Sequence, residues 1–520
     1  MMQFVVEPAI ATIIEKMSER VRWRHQSILQ RGIDQTRLVL EDGKADDPTF
    51  SFLVIGDSGS GYHRGHNPQR QIAEQMLSHR DGCRFVLHTG DVIYLVGSRE
   101  YYPKNFIGPY REFLVNGENL RHVSYDRMVF NFPFFLVPGN HDYYDLPLIY
   151  GLAVQAMLPF RCLLRNQLDF DIGLYGSEQG NAYAKAFLDY LQCLNQPELE
   201  QHLDRHYTAQ TSTGRCICYQ PGTFTRLPNR YYTFRTGGID FFALDSNTFN
   251  APIPLPETPE GENFRMELRQ QRAKLEKEQR EIFIETSRLN PAIPDEAEQL
   301  DDFHAKQEQL NEIIRDIDKH LAANETTTTD IAQLEWLQNQ LIESWQTAAV
   351  RGRVLFFHHP PYVTEATKWH QAQTIAVRSQ LRRVLDAVAE TVGDLTQGRP
   401  IVDLVLNGHA HCLEYLRTGD TGHGDAFTNW IVCGGSGFSL RRQRLEGPDL
   451  TELDGNQERL VAKSELFLGR SGHGTQKRRP YSGIRIDVKD GRPPKFVVRP
   501  FVSEWFQRKW ETYEIEPFVI

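Results

Sequence analysis

At 520 residues the chain is long enough for one large domain with insertions or for several domains. Hydrophobic residues at 40% and charged residues at 24% describe an ordinary globular composition. The net charge of −10 argues against nucleic acid or an anionic membrane as the main partner. No run reaches the roughly 20 apolar residues that a membrane span needs.

The opening stretch, MMQFVVEPAIATIIEKMSERVRWRHQ, has an early acidic residue, no basic leader and no long apolar core, so it does not read as an export signal. Ile10, Ile13, Ile14 and Met17 recur at helical spacing, which predicts a helical N-terminal extension over residues 1–47. One domain is then expected from 48 to 520. Its strands are predicted at 50–55, 84–87, 134–137, 239–244, 354–357, 404–406 and 430–432, where short β-branched and aromatic runs alternate with helical stretches. A hairpin is predicted from 484–488 and 496–498, with Asp490-Gly491 and Pro493-Pro494 marking a turn longer than the two-residue kind.

Two insertions interrupt the plan. Residues 148–220 read as mainly helical. Residues 255–325 read as a helical hairpin, whose second half carries one apolar stripe of Leu310, Ile313, Ile314, Ile317 and Leu321. Both leave the sheet at carboxyl strand ends, so at least one is expected to form a wall or lid over whatever the strand ends hold. A solvated arm, or a surface for a homo-oligomer or protein partner, is the other reading of 255–325. The seven cysteines are scattered and odd in number, and Cys216-Ile217-Cys218 is too isolated for a zinc site. Reduced thiols and a cytoplasmic location are the expectation.

Nearly every strand ends in a polar motif, and open α/β sheets bind ligands at such ends. In order these are Gly56-Asp57-Ser58-Gly59, Gly90-Asp91-Val92-Ile93-Tyr94, Gly139-Asn140-His141-Asp142, His358-His359-Pro360 and Gly408-His409-Ala410-His411. Each alone is weak: a Gly-Asp pair is commonly a turn and Asn140-His141-Asp142 an Asx turn. Together they supply carboxylate, amide, phenol and imidazole donors for two metal ions. The Cys433-Gly434-Gly435-Ser436-Gly437-Phe438 loop, with Arg441 and Arg442 beyond it, reads either as a phosphate cradle or as a plain turn.

The order GD, GDxxY, GNHD, HxP, GHxH resembles the calcineurin-like metallophosphoesterases in their purple acid phosphatase branch, over roughly 48–254 and 326–520. The broader superfamily usually has a His where Gly59 stands, and Tyr94 replaces it as in the purple branch. The resemblance implies an α/β fold with a two-sheet β-sandwich core in αββα layers, carrying helical insertions. It implies two metal ions. Fe(III) would take Asp57, Asp91, Tyr94 and His411; Fe(II), Zn(II) or Mn(II) would take Asp91, Asn140, His358 and His409, with Asp91 as the bridge. A phenolate is a hard anionic donor that suits ferric iron. His141 would contact phosphate and protonate the leaving oxygen, with Asp142 bonded to it and raising its pKa. His359, His63 and His66 would contact substrate, and His88 is a candidate for orienting a ligand. The implied reaction is hydrolysis of small phosphate monoesters through a metal-bound hydroxide. The alternatives are a phosphodiesterase on nucleotides or phospholipid head groups, or a non-catalytic scaffold using the arm.

Overall fold

Alternate residues of one strand face two different cores. The computed structural model describes residues 5–59, 63, 66–120, 122–146, 175–290, 292–455 and 457–520. In the strand Gly352–Phe356, Val354 and Phe356 join one hydrophobic core, while Leu355 and the following Phe357 join another. A strand buried on both faces is apolar at most positions, so it reads as a near-continuous run.

In chain order the strands are β1 Ile33–Leu40, β2 Phe50–Ile55, β3 Cys83–His88, β4 Phe134–Leu136, β5 Ala209–Thr211, β6 Gly214–Tyr219, β7 Tyr232–Thr236, β8 Ile239–Ala243 and β9 Gly352–Phe356. They continue with β10 Leu404–Asn407, β11 Leu413–Thr418, β12 Asn429–Cys433, β13 Asp449–Asp454, β14 Gln457–Leu468, β15 Arg478–Lys489, β16 Lys495–Phe506, β17 Lys509–Glu514 and β18 Phe518–Val519. The larger sheet runs β13-β14-β11-β12-β10-β9-β8-β7-β1-β6-β5; the smaller runs β17-β16-β15-β2-β3-β4, with β18 beside β16. Between the sheets, aromatic rings interlock: Phe52 meets Phe241 edge-on at 5.5 Å, and Phe85 meets Phe234 at 5.5 Å. Helices Ile331–Gln346 and Ala372–Val392 cover the outer face of the larger sheet through Leu337, Leu341, Leu381 and Leu385. Helix Pro68–His79 covers β15 and β16 with Ile72 and Met76 buried. The layers are therefore helix, sheet, sheet, helix. Because β2, β3 and β4 are parallel, as are β9 and β10, the motifs emerge at carboxyl strand ends.

The N-terminal extension is not wholly helical. After helix Ile10–Arg20, β1 pairs in parallel with β6 and β7 and enters the larger sheet. Its sequence IDQTRLVL buries Thr36, Leu38 and Leu40 at every second position, a strand period that the helical reading missed. The segment 148–220 lies partly outside the described residues. Its described part holds helices Asn181–Phe187 and Gln196–His206, then β5 and β6.

The arm is a pair of antiparallel helices, Pro259–Thr286 and Pro294–Ala322. Cross-pairs Arg272–Asp318 (2.6 Å) and Gln279–Asn311 (2.6 Å) set the register. Thr258 caps the outer helix through Gly261 N. The inner helix buries Ala297, Leu300, Leu310, Ile314 and Ile317. Its outward partner leaves Phe283 and Ile284 exposed near the tip.

Candidate metal centre

Tyr94 lies at the meeting point of three strand-end loops. Its hydroxyl donates to Asp91 Oδ2 (2.6 Å) and lies 3.0 Å from Asp57 Oδ1 and 3.1 Å from His411 Nε2. The same oxygen of Asp91 meets a second group. Asp91 Oδ2 is 3.3 Å from His358 Nε2, which is 2.9 Å from Asn140 Oδ1 and 3.2 Å from His409 Nδ1. The seven residues thus converge as two sets sharing the Asp91 carboxylate. The loops are held for this by backbone. Asp57 N donates to Gly90 O (2.9 Å), Gly408 N to His358 O (2.9 Å), and His409 N to Asp57 Oδ2 (2.8 Å). Asp57, Asp91 and His409 each adopt a left-handed φ, of 51°, 55° and 65°, which costs free energy and is concentrated at functional loops.

The donor set fits cations. Two carboxylates and a phenol are buried together, with Asp57 at 0% and Asp91 at 1% exposure. Burial, reinforced by the charge of Asp91, pushes Asp57 up to about 8. Burial would raise Asp91 too, but the charge of His358 holds it well below the usual carboxylate range. Burial disfavours charge on His358, yet the Asp91 carboxylate lifts it to about 9. Burial pushes the Tyr94 phenol well above its ordinary value. A multivalent cation held here would favour the ionised form of the two carboxylates and the phenol. The imidazoles are oriented to offer Nε2 of His358, Nδ1 of His409 and Nε2 of His411. His358 Nδ1 is turned to Thr89 O (2.8 Å) and His411 Nδ1 to Ser439 O (3.1 Å).

The role expected for Asp142 is corrected. Its carboxylate does not reach His141. It accepts backbone N–H from Val92 (3.1 Å), Ile93 (3.3 Å) and Gly139 (2.9 Å), and so clamps the second and third motifs together. His141 instead turns Nδ1 to Leu95 O (2.5 Å), leaving Nε2 facing Glu308 Oε1 at 3.5 Å. Its pKa is not raised: burial pushes it down to about 4, against the pull of Asp91.

The remaining candidates sort by position. His359 is buried against His409, ring to ring at 4.4 Å, but its Nδ1 is bonded to Ser246 Oγ (2.8 Å) and its Nε2 lies 3.5 Å from Asn250 Nδ2. His63 is bonded to Gly437 O (2.8 Å) and packs on His66, which stacks on Trp505. Both line a small cavity with Tyr481, Asp302 and Arg479 that includes none of the seven converging residues. His88 bridges Ser58 Oγ (2.8 Å) and Gly90 N (3.2 Å), tying the first loop to the second. The Gly434–Phe438 turn serves as packing: Phe438 stacks on Tyr94 at 4.0 Å.

Sequence reasoning missed three charged groups around the cluster, Glu308, Glu312 and Lys368. The inner arm helix sets Glu308 beside His141 and Glu312 beside His409 (3.2 Å). Lys368 pairs with Glu312 and lies 2.8 Å from His409 Nε2; Arg441 donates to Ala305 O of the arm (2.6 Å). Glu308, Glu312 and Arg315 do align at spacings of four and three, but such a stripe also describes a solvated helix face. Beneath the arm, His141, His409 and His411 are 4–6% exposed. A cavity of about 360 Å³ opens between residues 5–10, Asn250–Pro252 and the arm base at Arg315 and Lys319, with Asn250 joining it to His359.

Residues 50–258 match the family described as calcineurin-like phosphoesterase. The likeness to this family covers those residues. It is similar to tartrate-resistant acid phosphatase type 5 of Mus musculus, 28% identical over 109 residues, which is 20% of this chain and 30% of that protein. The same protein of Oryctolagus cuniculus is 28% identical over 116 residues, 21% and 31% of the two lengths. The match thus spans under a third of these relatives. A solved purple acid phosphatase from yellow lupin (Lupinus luteus) seeds aligns with a TM-score of 0.40 at 10% identity, covering 91% of this chain and 53% of that one. The family match contains Asp57, Asp91, Tyr94, Asn140 and His141; His358, His409 and His411 lie beyond it and join them through the fold.

Proposed function

We propose that the chain hydrolyses small phosphate monoesters at a two-metal centre of the purple type. The observation that carries this reading is the sharing of the Asp91 carboxylate between the Tyr94–Asp57–His411 set and the Asn140–His358–His409 set. Fe(III) suits the first set because of the phenol, and Fe(II), Zn(II) or Mn(II) suits the second. When bound, such a pair polarises the phosphoryl group and acidifies water.

The chain's own residues do the rest. Asp91 keeps the two sets in contact. Asn140 and His358 hold each other in place, and His141 presents Nε2 as the atom that exchanges a proton, since Nδ1 is held by Leu95 O. Burial beneath the arm supports small monoesters over bulky nucleotides or lipid head groups.

Metal analysis with a visible spectrum tests the centre. Two ions per chain and a tyrosinate-to-ferric band, lost in Tyr94→Phe, are expected; a colourless, iron-free, fully active protein after oxidation would defeat the ferric assignment. Asp91→Asn should lower turnover by at least about a thousandfold if it links the two ions. A panel of mono- and diesters then distinguishes the substrate classes.

A further inference from the structure

The cavity beside the arm base is lined by four charged side chains, Glu7, Arg315, Asp318 and Lys319. Three of them are paired: Glu7 with Lys319 (2.6 Å), and Asp318 with Arg272 of the outer helix (2.6 Å). Arg315 is the fourth. Its Nε and Nη2 are buried and have no hydrogen-bond partner among the described residues. These two nitrogens form one edge of the guanidinium, whose parallel N–H groups match the two oxygens of one oxyanion. Elsewhere in the chain a carboxylate fills this edge. Arg272 holds Asp318 that way (2.6 and 3.3 Å), and the buried Arg84 holds Asp42 (2.7 and 2.6 Å). Glu308 feels the charge of Arg315 yet does not fill the edge. A buried edge of charged donors calls for an acceptor, and an oxyanion is the chemistry that fits it.

Position indicates which oxyanion. The guanidinium lies over the Tyr144 ring at 4.9 Å, and Tyr144 packs on His141, ring to ring at 4.8 Å. Arg315 therefore stands between His141 and the cavity. With the scissile phosphoryl group on the shared Asp91 cluster and the leaving oxygen at His141, the alcohol half of the ester extends toward Arg315. Val6, Pro8, Ile10 and Pro252 line the cavity beyond and suit a short carbon skeleton. Arg315 and residues 5–10 lie outside the stretch that matches the phosphoesterase family.

We propose that Arg315 is a substrate-binding residue that selects monoesters whose alcohol half carries a second oxyanion, a carboxylate or a further phosphate. The proposal rests on the metal-centre reading and names its substrate class. A charge-assisted bidentate contact of this kind changes affinity roughly 10–100-fold.

Calorimetry on the full, metal-loaded chain tests this with probes that are not hydrolysed. Phosphonoacetate, phosphonopropionate and phosphonobutyrate carry a carboxylate at increasing distance from phosphorus. Each is compared with its amide, which keeps the size and loses the charge. Propane and butane bisphosphonates form the phosphate arm, and the tighter arm names the second oxyanion. At the best length the wild type should bind the doubly anionic probe about 10–100-fold more tightly than the amide. Arg315→Met should bring that ratio close to one. Arg315→Lys keeps a charge over Tyr144 but not the two-pronged edge, and should recover only part of it. A ratio near one in the wild type at every length overturns the proposal. So does a ratio that survives in Arg315→Met, which would leave Arg315 the structural task of pinning the arm to Tyr144. A wild type that binds none of the phosphonates defeats the metal-centre reading, and this proposal with it. One that binds amides and acids alike defeats the proposal alone.

Discussion

A β-carbon on Gly59 would stand 2.7 Å from Cδ2 of Tyr94 and 2.8 Å from its backbone nitrogen. The small residue and the tyrosine are therefore one device: any side chain at 59 would occupy the space the phenol ring takes. Gly139 is more constrained still, with a virtual β-carbon 2.1 Å from Asp91 Oδ1 and 2.3 Å from Asp91 N. Gly139→Ala must displace the shared carboxylate. We expect metal affinity to fall on the order of 10–100-fold or more, with stability reduced by about 1–3 kcal/mol for the overpacking. Metal titration alongside thermal unfolding checks this; unchanged metal content would show that Asp91 can yield without loss. Asp142 teaches a related point. Adjacent to His141 in sequence, it points the other way, because buried N–H groups of Val92, Ile93 and Gly139 compete for its oxygens.

Among the elements, the arm shows best what was legible and what was not. Its helical hairpin was legible, since apolar residues recur at three and four and Pro marks the helix starts. That an insertion would wall the strand ends was expected from where the insertions leave the sheet; which residues fasten it there was not legible. Polar fasteners hold it: Asp302 to Arg470 (2.7 Å) and Arg479 (2.9 Å), Lys319 to Glu7 (2.6 Å), and Asp316 to the first N–H groups of helix Ala372–Val392. Asp316 caps another helix's start, a contact worth about 1–2 kcal/mol. Asp316→Ala should loosen the inner helix, seen as faster proteolysis within 258–325. If the arm limits access, it should also raise turnover of large esters relative to small ones. An unchanged ratio, in this variant or on deletion of 258–325, would remove the arm as a determinant of substrate size. β1 gives the opposite lesson: its alternation was present in the sequence, but a preceding helix drew the whole segment into one prediction.

At the scale of the molecule, one buried network joins the third motif to the larger sheet and to helix Ile331–Gln346 that covers it. Arg230 reaches Asp245 (3.3 Å) and Asp330, while Tyr143, two residues past His141, donates to Asp245 (2.8 Å). Asp330 also caps helix Ile331–Gln346 through Gln333 N. All three charged groups are at most 4% exposed, so breaking the network strands an uncompensated charge. Asp330→Ala should cost roughly 3–5 kcal/mol in chemical denaturation. A loss below 1 kcal/mol would mean that water replaces the carboxylate. No helix among the described residues is long and apolar enough to cross a membrane.

The sequence by itself determined the strand ends and the donors placed on them. Buried parallel strands are mostly apolar, and the polar turns that end them stand out against that background. It also determined the Gly59–Tyr94 exchange, because both positions belong to local motifs. Only the tertiary structure decided which charged residues face the cluster. Glu308, Glu312 and Lys368 come from surface-like helical and loop sequence, and their role arises from packing between segments far apart in the chain. A charge on a helix face looks the same in sequence whether water or a buried histidine lies opposite, and that difference exists only once the arm has docked.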